Sequence, residues 1–149
     1  MKGLFGSRRG VAAVEFAISV PVVLALMGFI LDFSAMQVSQ ARLMNGVANA
    51  AQYAVLSGPA VSTATLVSIA QKTSMLTGVT ASVAGPGCYC TLYSPTRLAA
   101  STCGVTCGNG VVAATYVTVT ASYTFVPVLP GLSTMVNTVL SEQRSVLLQ

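Results

Sequence analysis

The sequence predicts an α+β protein: a long N-terminal helix followed by a small mixed α/β domain with a disulfide-bearing loop. Three observations carry that expectation. Phe16 to Leu31 reads FAISVPVVLALMGFIL without a charged residue; apolar residues keep helical spacing from Met36 to Val55; and Thr115 to Val126 alternates with the period of a strand. The 149 residues suffice for one modest domain, but a hydrophobic content of 54% and a mean hydropathy of +0.77 exceed what a soluble domain of that size carries. Part of the chain therefore belongs in lipid.

The N-terminal element comes first. Adding Val11 to Val14 gives a run of about 20 residues broken only by Glu15, roughly what crossing a bilayer requires. Lys2, Arg8 and Arg9 precede it, while only Asp32 and Arg42 follow soon after, so the positive-inside bias keeps the N-terminus in the cytoplasm and sends the remainder to the periplasm or exterior. A secretory signal has a shorter apolar region ending at a small-x-small site, and this segment fits neither condition well. A plain signal anchor explains the length and orientation but not Glu15, because a carboxylate at membrane depth costs on the order of a few kcal/mol and ordinarily has a partner.

Beyond Asp32 the helical pattern continues, with Met36, Leu43, Met44, Val47, Ala51, Ala54 and Val55 on an apolar stripe. One helix from Val11 to Leu56 would be roughly 69 Å long at ~1.5 Å per residue. Pro21 should kink it or cost a hydrogen bond, Gly46 should weaken it, and Ser57-Gly58-Pro59 should end it. The resulting division is a membrane helix over 11–33, its continuation over 34–57 and a small domain over 60–149. Val61 to Leu76 sets Leu66, Ile69, Ala70, Thr73 and Leu76 on one side of a second helix, which ends at Gly78. Val79 to Ala84 reads as a strand and Gly85-Pro86-Gly87 as a turn. Thr115 to Val126 is the clearest strand, with Val117, Val119, Ala121, Tyr123 and Phe125 on one face. The last segment could be a helix from Ser133 or a strand from Val139 to Leu148.

Cys88, Cys90, Cys103 and Cys107 lie in the polar stretch 85–110, which is too poor in apolar residues to pack unaided. An even set on the oxidising side favours two disulfides that join one pair to the other, with the choice of partners open. Each ring of ~15 residues would contribute about 3 kcal/mol in the loop-closure account. A structural zinc site of four thiolates is the alternative, which a count of free thiols separates. No other metal or cofactor is implied. Glycines 104, 108 and 110 serve turns, since no helix start with a basic residue follows them. The seven basic residues are scattered, which argues against a nucleic-acid partner. With no histidine and only Glu15, Asp32 and Glu142 as acids, catalysis is not expected.

Gly10, then Val11-Ala12-Ala13-Val14, then Glu15-Phe16 resembles the prepilin-peptidase site of type IV pilin-like proteins. The wider stretch RRGVAAVEFAISVPVVLALMGFILDF is similar to the start of the TadE-like family of the tight-adherence (Tad) system. The likeness extends through Ala50 to Val55 and resumes at Tyr116 to Tyr123, Pro127 and Leu129-Pro130-Gly131. It implies a leader over residues 1–10, cleavage between Gly10 and Val11, pairing of Glu15, next to Phe16, with the mature N-terminal amine, and a short helical turn from Ser133 followed by a strand at the end of the chain. The major pilins of that system carry Glu-Tyr where this chain has Glu15-Phe16 and are far shorter, which suits a pseudopilin or minor pilin. The implied partners are a prepilin peptidase, other pilins and pseudopilins, the inner-membrane assembly platform and the lipid bilayer. The implied roles are pilus assembly, adhesion and biofilm formation. The alternative is a generic single-pass periplasmic interaction protein without pilin processing.

Overall fold

The structure, a computed structural model, describes residues 8–91, 98–129, 134 and 136–148; the side chains of residues 8–11 lie outside that description. Helix α1 (Arg8–Ser57) runs without a break through Pro21. From Asp32 onward it turns a stripe inward at Asp32, Ser39, Leu43, Gly46, Val47, Ala50 and Ala54, the three- and four-residue spacing of one helix face. Met44 and Val55, assigned to that stripe from the sequence, are each 40% exposed. Each follows a buried residue by one position, a step of roughly 100° around the axis, and Ala50 fills the stripe instead. The helix ends at Ser57, where Gly58 adopts φ 67° and opens a short 3-10 turn, Gly58–Ala60.

Helix α2 (Thr63–Thr73) is shorter than the 61–76 segment expected, and the chain leaves it through Met75 and Gly78, both at positive φ. Leu66 and Ala70 are its buried residues. The two helices meet at Gly46, where a Cβ would stand 2.5 Å from the Ala70 carbonyl oxygen and 3.0 Å from Ser74 Cβ. This glycine, which costs helix stability in isolation, allows the close crossing of the helices. Ser74, fully buried at the crossing, donates its hydroxyl to the Gln71 carbonyl at 2.8 Å.

Four antiparallel strands, β1 (Thr80–Thr91), β2 (Leu98–Ala100), β3 (Ala114–Thr124) and β4 (Val139–Leu147), form a sheet of order β2-β1-β3-β4. The alternation read in the sequence holds in β3: Val117, Val119 and Ala121 face the helices and are fully or almost fully buried. They pack with Leu43, Val47, Leu66, Ala70, Leu140 and Leu148 into one core between the sheet and the helices. Burying a side chain such as Leu43 contributes roughly 1.5–3 kcal/mol. The helical turn expected from Ser133 falls on residues outside those described, apart from Thr134.

Gly85-Pro86-Gly87 is a correction, because these residues lie inside β1 rather than in a turn. They form an irregularity in which the pairing with β3 shifts between Ala84 and Gly87. Gly85 has φ 97° and lies so close to β3 that a Cβ would sit 2.8 Å from the Tyr116 carbonyl oxygen. The extra residue reverses the alternation of β1. Ala81 and Val83 point toward the helices before it; after it Cys88 pairs with Thr115, two residues from buried Val117, and so falls on that same side.

Candidate functional site on the N-terminal helix

From Ala12 to Leu31 the helix α1 is apolar apart from Glu15 and Ser19, and among the described residues the domain reaches it only at its last turns, through Val128 and Leu129. Val14, Phe16, Ile18, Leu24, Ile30 and Leu31 are all at least 59% exposed, and no described side chain from Ala12 to Leu31 is buried. A helix that is apolar all round needs lipid or other helices about it. Residues 12–60 include a stretch long and apolar enough to cross a membrane. Glu15 is exposed on this bare half; Ser19 Oγ donates to its backbone carbonyl at 2.7 Å, and among the described residues no hydrogen bond or ion pair holds its carboxyl group. Phe16 beside it is 71% exposed. Gly10 and Val11 lie in the opening turns of the same helix, one turn before Glu15, with side chains outside the described set.

Where the bare half meets the packed half, Asp32 is 3% exposed. Its Oδ1 accepts the Val128 N–H at 2.9 Å and its Oδ2 accepts the Leu129 N–H at 2.8 Å, so both carboxyl oxygens are satisfied by the chain that follows β3. One turn earlier, the missing side chain of Gly28 receives Leu129, whose methyls would lie 3.0 Å from a Cβ there. Gly28, Leu31, Asp32, Ala35, Val128 and Leu129 line a cleft of about 270 Å³ between helix and loop. Two turns on, Gln40 donates to Glu142 of β4 at 3.1 Å. Together these contacts set β3 antiparallel to α1: the loop after β3 lies at the apolar half of the helix, and the end of β1 lies far from it.

That far end carries the cysteines. Cys88 bonds Cys103 and Cys90 bonds Cys107, with Cα separations of 5.1 and 5.6 Å. The C-x-C spacing on a strand puts both sulfurs on one face, and the loop they reach is closed by Cys107 N–H to Val111 O and Ala113 N–H to Val105 O, both at 2.8 Å. Cys88, Cys107 and Ala113 form a second small core, separate from the main one. No group of three or more His, Cys, Asp or Glu residues is placed to hold a metal ion among the described residues.

Residues 10–52 match a family model described as TadE-like protein. The chain carries a TadE-like N-terminal segment. It begins at Gly10 and covers Glu15, the whole apolar half, Asp32 and most of the packed stripe of α1, and it stops short of the sheet. The likeness noted around Tyr116 to Tyr123 lies outside the matched range. No curated protein and no solved structure matches the chain. The TadE-like segment thus coincides with the part of the molecule that the domain leaves uncovered, together with the surface on which the domain is built.

The sequence reading missed Asp32 and Gly28 as a pair. The signal was present as Gly-x-x-x-Asp closing an apolar run, since residues four apart share a helix face. The partner was invisible, because the groups Asp32 holds are backbone N–H groups 96 and 97 residues away.

Proposed function

We propose that this chain is a pseudopilin or minor pilin of a Tad (type IVb) pilus and secretion system, processed after Gly10 by a prepilin peptidase and assembled through α1. It would sit as a single-pass inner-membrane protein with a cytoplasmic N-terminus and a periplasmic domain before any incorporation into a pilus. Its partners would be the peptidase, other pilins and pseudopilins of the system, and the inner-membrane assembly platform. Adhesion and biofilm formation would follow from that assembly. The observation that carries the reading is the TadE-like match over residues 10–52, laid on a helix whose exposed apolar first half carries Glu15 as its one acid from Ala12 to Leu31.

Cleavage after Gly10 would remove Lys2, Arg8 and Arg9 and leave a new amine on Val11. On a helix, positions 11 and 15 share a face one turn apart, about 6 Å along the axis, so the Glu15 carboxyl group can meet this amine or that of a neighbouring subunit. Pairing would offset the cost of two charges that lipid disfavours, so assembly would be favoured only after proteolysis.

Mass spectrometry of the membrane-purified protein tests the processing step, and the expected N-terminus is Val11. An intact Met1 in cells with an active prepilin peptidase would overturn it. The generic single-pass alternative predicts that Glu15→Leu leaves pilus formation unchanged; the pseudopilin reading predicts that assembly is lost while membrane insertion persists.

A further inference from the structure

The geometry points to a second membrane contact: the segment that follows β3, Val126 to Leu129, seats its apolar side chains in the lipid interface beside the exit of α1, so that the domain rests against the bilayer. The contact is built from the cleft at Asp32. Leu129 lies against Gly28, one turn inside the apolar half of α1, and is therefore at a depth that a span over residues 11–33 places in the acyl region. Asp32 fixes that depth by holding the N–H groups of Val128 and Leu129, and in doing so satisfies two backbone donors that lipid would otherwise leave unpaired.

The neighbouring side chains point outward and are apolar. Val126 is 77% exposed and Val128 is 89% exposed, so both leave apolar surface bare beside the uncovered half of α1. Neither residue has a charged neighbour in the chain, since none occurs from Thr124 to Ser141. At the same level of α1, Phe29 and Phe33 stack with ring centroids 6.3 Å apart while remaining 44% and 51% exposed. The two outward valines, Leu129 and the aromatic pair form one apolar collar, continuous with the bare helix, and its occupant is a phospholipid surface. Elements of this kind sit roughly 5–10 Å into the boundary between headgroups and acyl chains.

This inference rests on residues 11–33 being the membrane span, and the experiment separates the two. All four native cysteines are bridged, so a thiol introduced as Val128→Cys or Ile18→Cys is the sole labelling point in the full-length chain. Each variant is labelled with an environment-sensitive fluorophore and reconstituted in phosphatidylethanolamine–phosphatidylglycerol vesicles whose lipids carry a quencher either near the headgroup or deep in the acyl chain. The expected result is a blue shift and loss of emission at position 128 with the shallow quencher, and loss at position 18 with the deep one. Emission at 128 that stays water-like while 18 is quenched overturns the loop contact and leaves the span standing. A signal at 128 that is shielded from both quenchers and grows with protein density means a second copy covers the loop, and overturns it as well. Failure of quenching at position 18 removes the span and the inference with it.

Discussion

Asp32 holds its position by accepting two N–H groups, one on each oxygen, where water is excluded. Asp32→Asn would keep the shape but turn one acceptor into a donor facing a backbone N–H, leaving a buried donor unsatisfied at a cost of about 1–3 kcal/mol. The expected outcome is faster hydrogen exchange at Val128 and Leu129, with the β3 amides still protected and a lower melting temperature. The two helix glycines separate by what they touch. Gly28→Ala meets only the flexible end of Leu129, whereas Gly46→Ala meets the Ala70 carbonyl at 2.5 Å. Alanine gains roughly 0.5–1 kcal/mol of helix propensity in either place, and overpacking costs typically 1–3 kcal/mol where backbone must move. Thermal unfolding should therefore show Gly46→Ala clearly destabilised and Gly28→Ala close to the parent. From the sequence alone Gly46 reads as a mild helix weakener, since propensity is local and the opposing backbone is not.

At the scale of elements, legibility followed the strength of periodicity. Helix α1 and strand β3 each bury one continuous face, so Leu43, Val47 and Ala54, like Val117, Val119 and Ala121, announced themselves by spacing. The first part of strand β1 was legible in Val79 to Ala84, but its continuation was concealed because Gly85-Pro86-Gly87 carries the composition of a turn, while antiparallel pairing with β3 holds it extended on both sides of the irregularity. The same three residues decide which side of the sheet the cysteines face, which no local rule reveals. The cysteine connectivity likewise needed the fold: Cys88 and Cys90 lie on one face of β1, and the loop returns first Cys103 and then Cys107 to meet them. Removing the second bridge as Cys90→Ser with Cys107→Ser opens a ring of 17-residue separation and should cost about 3 kcal/mol. Because Cys107 and Ala113 belong to the small separate core, the loss should appear as raised hydrogen exchange over residues 101–113, with Leu43 and Val117 neighbourhoods still protected.

Taken whole, the molecule is one helix with two surroundings, apolar and largely exposed before Asp32 and packed beneath a sheet after it. That division was readable, because an uncharged run and an amphipathic stripe are different patterns in the same chain. The processing site at Gly10 and Val11 and the role of Glu15 and Phe16 are not fixed by the fold, since their proposed partners are other molecules. The unbroken path of α1 also has a mechanical consequence. A chain drawn along its helix axis feels the pull first at the seam between the two halves, where the Asp32 oxygens and the Leu129 side chain resist sliding together. The load then spreads over several turns of interlocked side chains up to Ala54, an arrangement that resists traction in shear rather than peeling open one contact at a time.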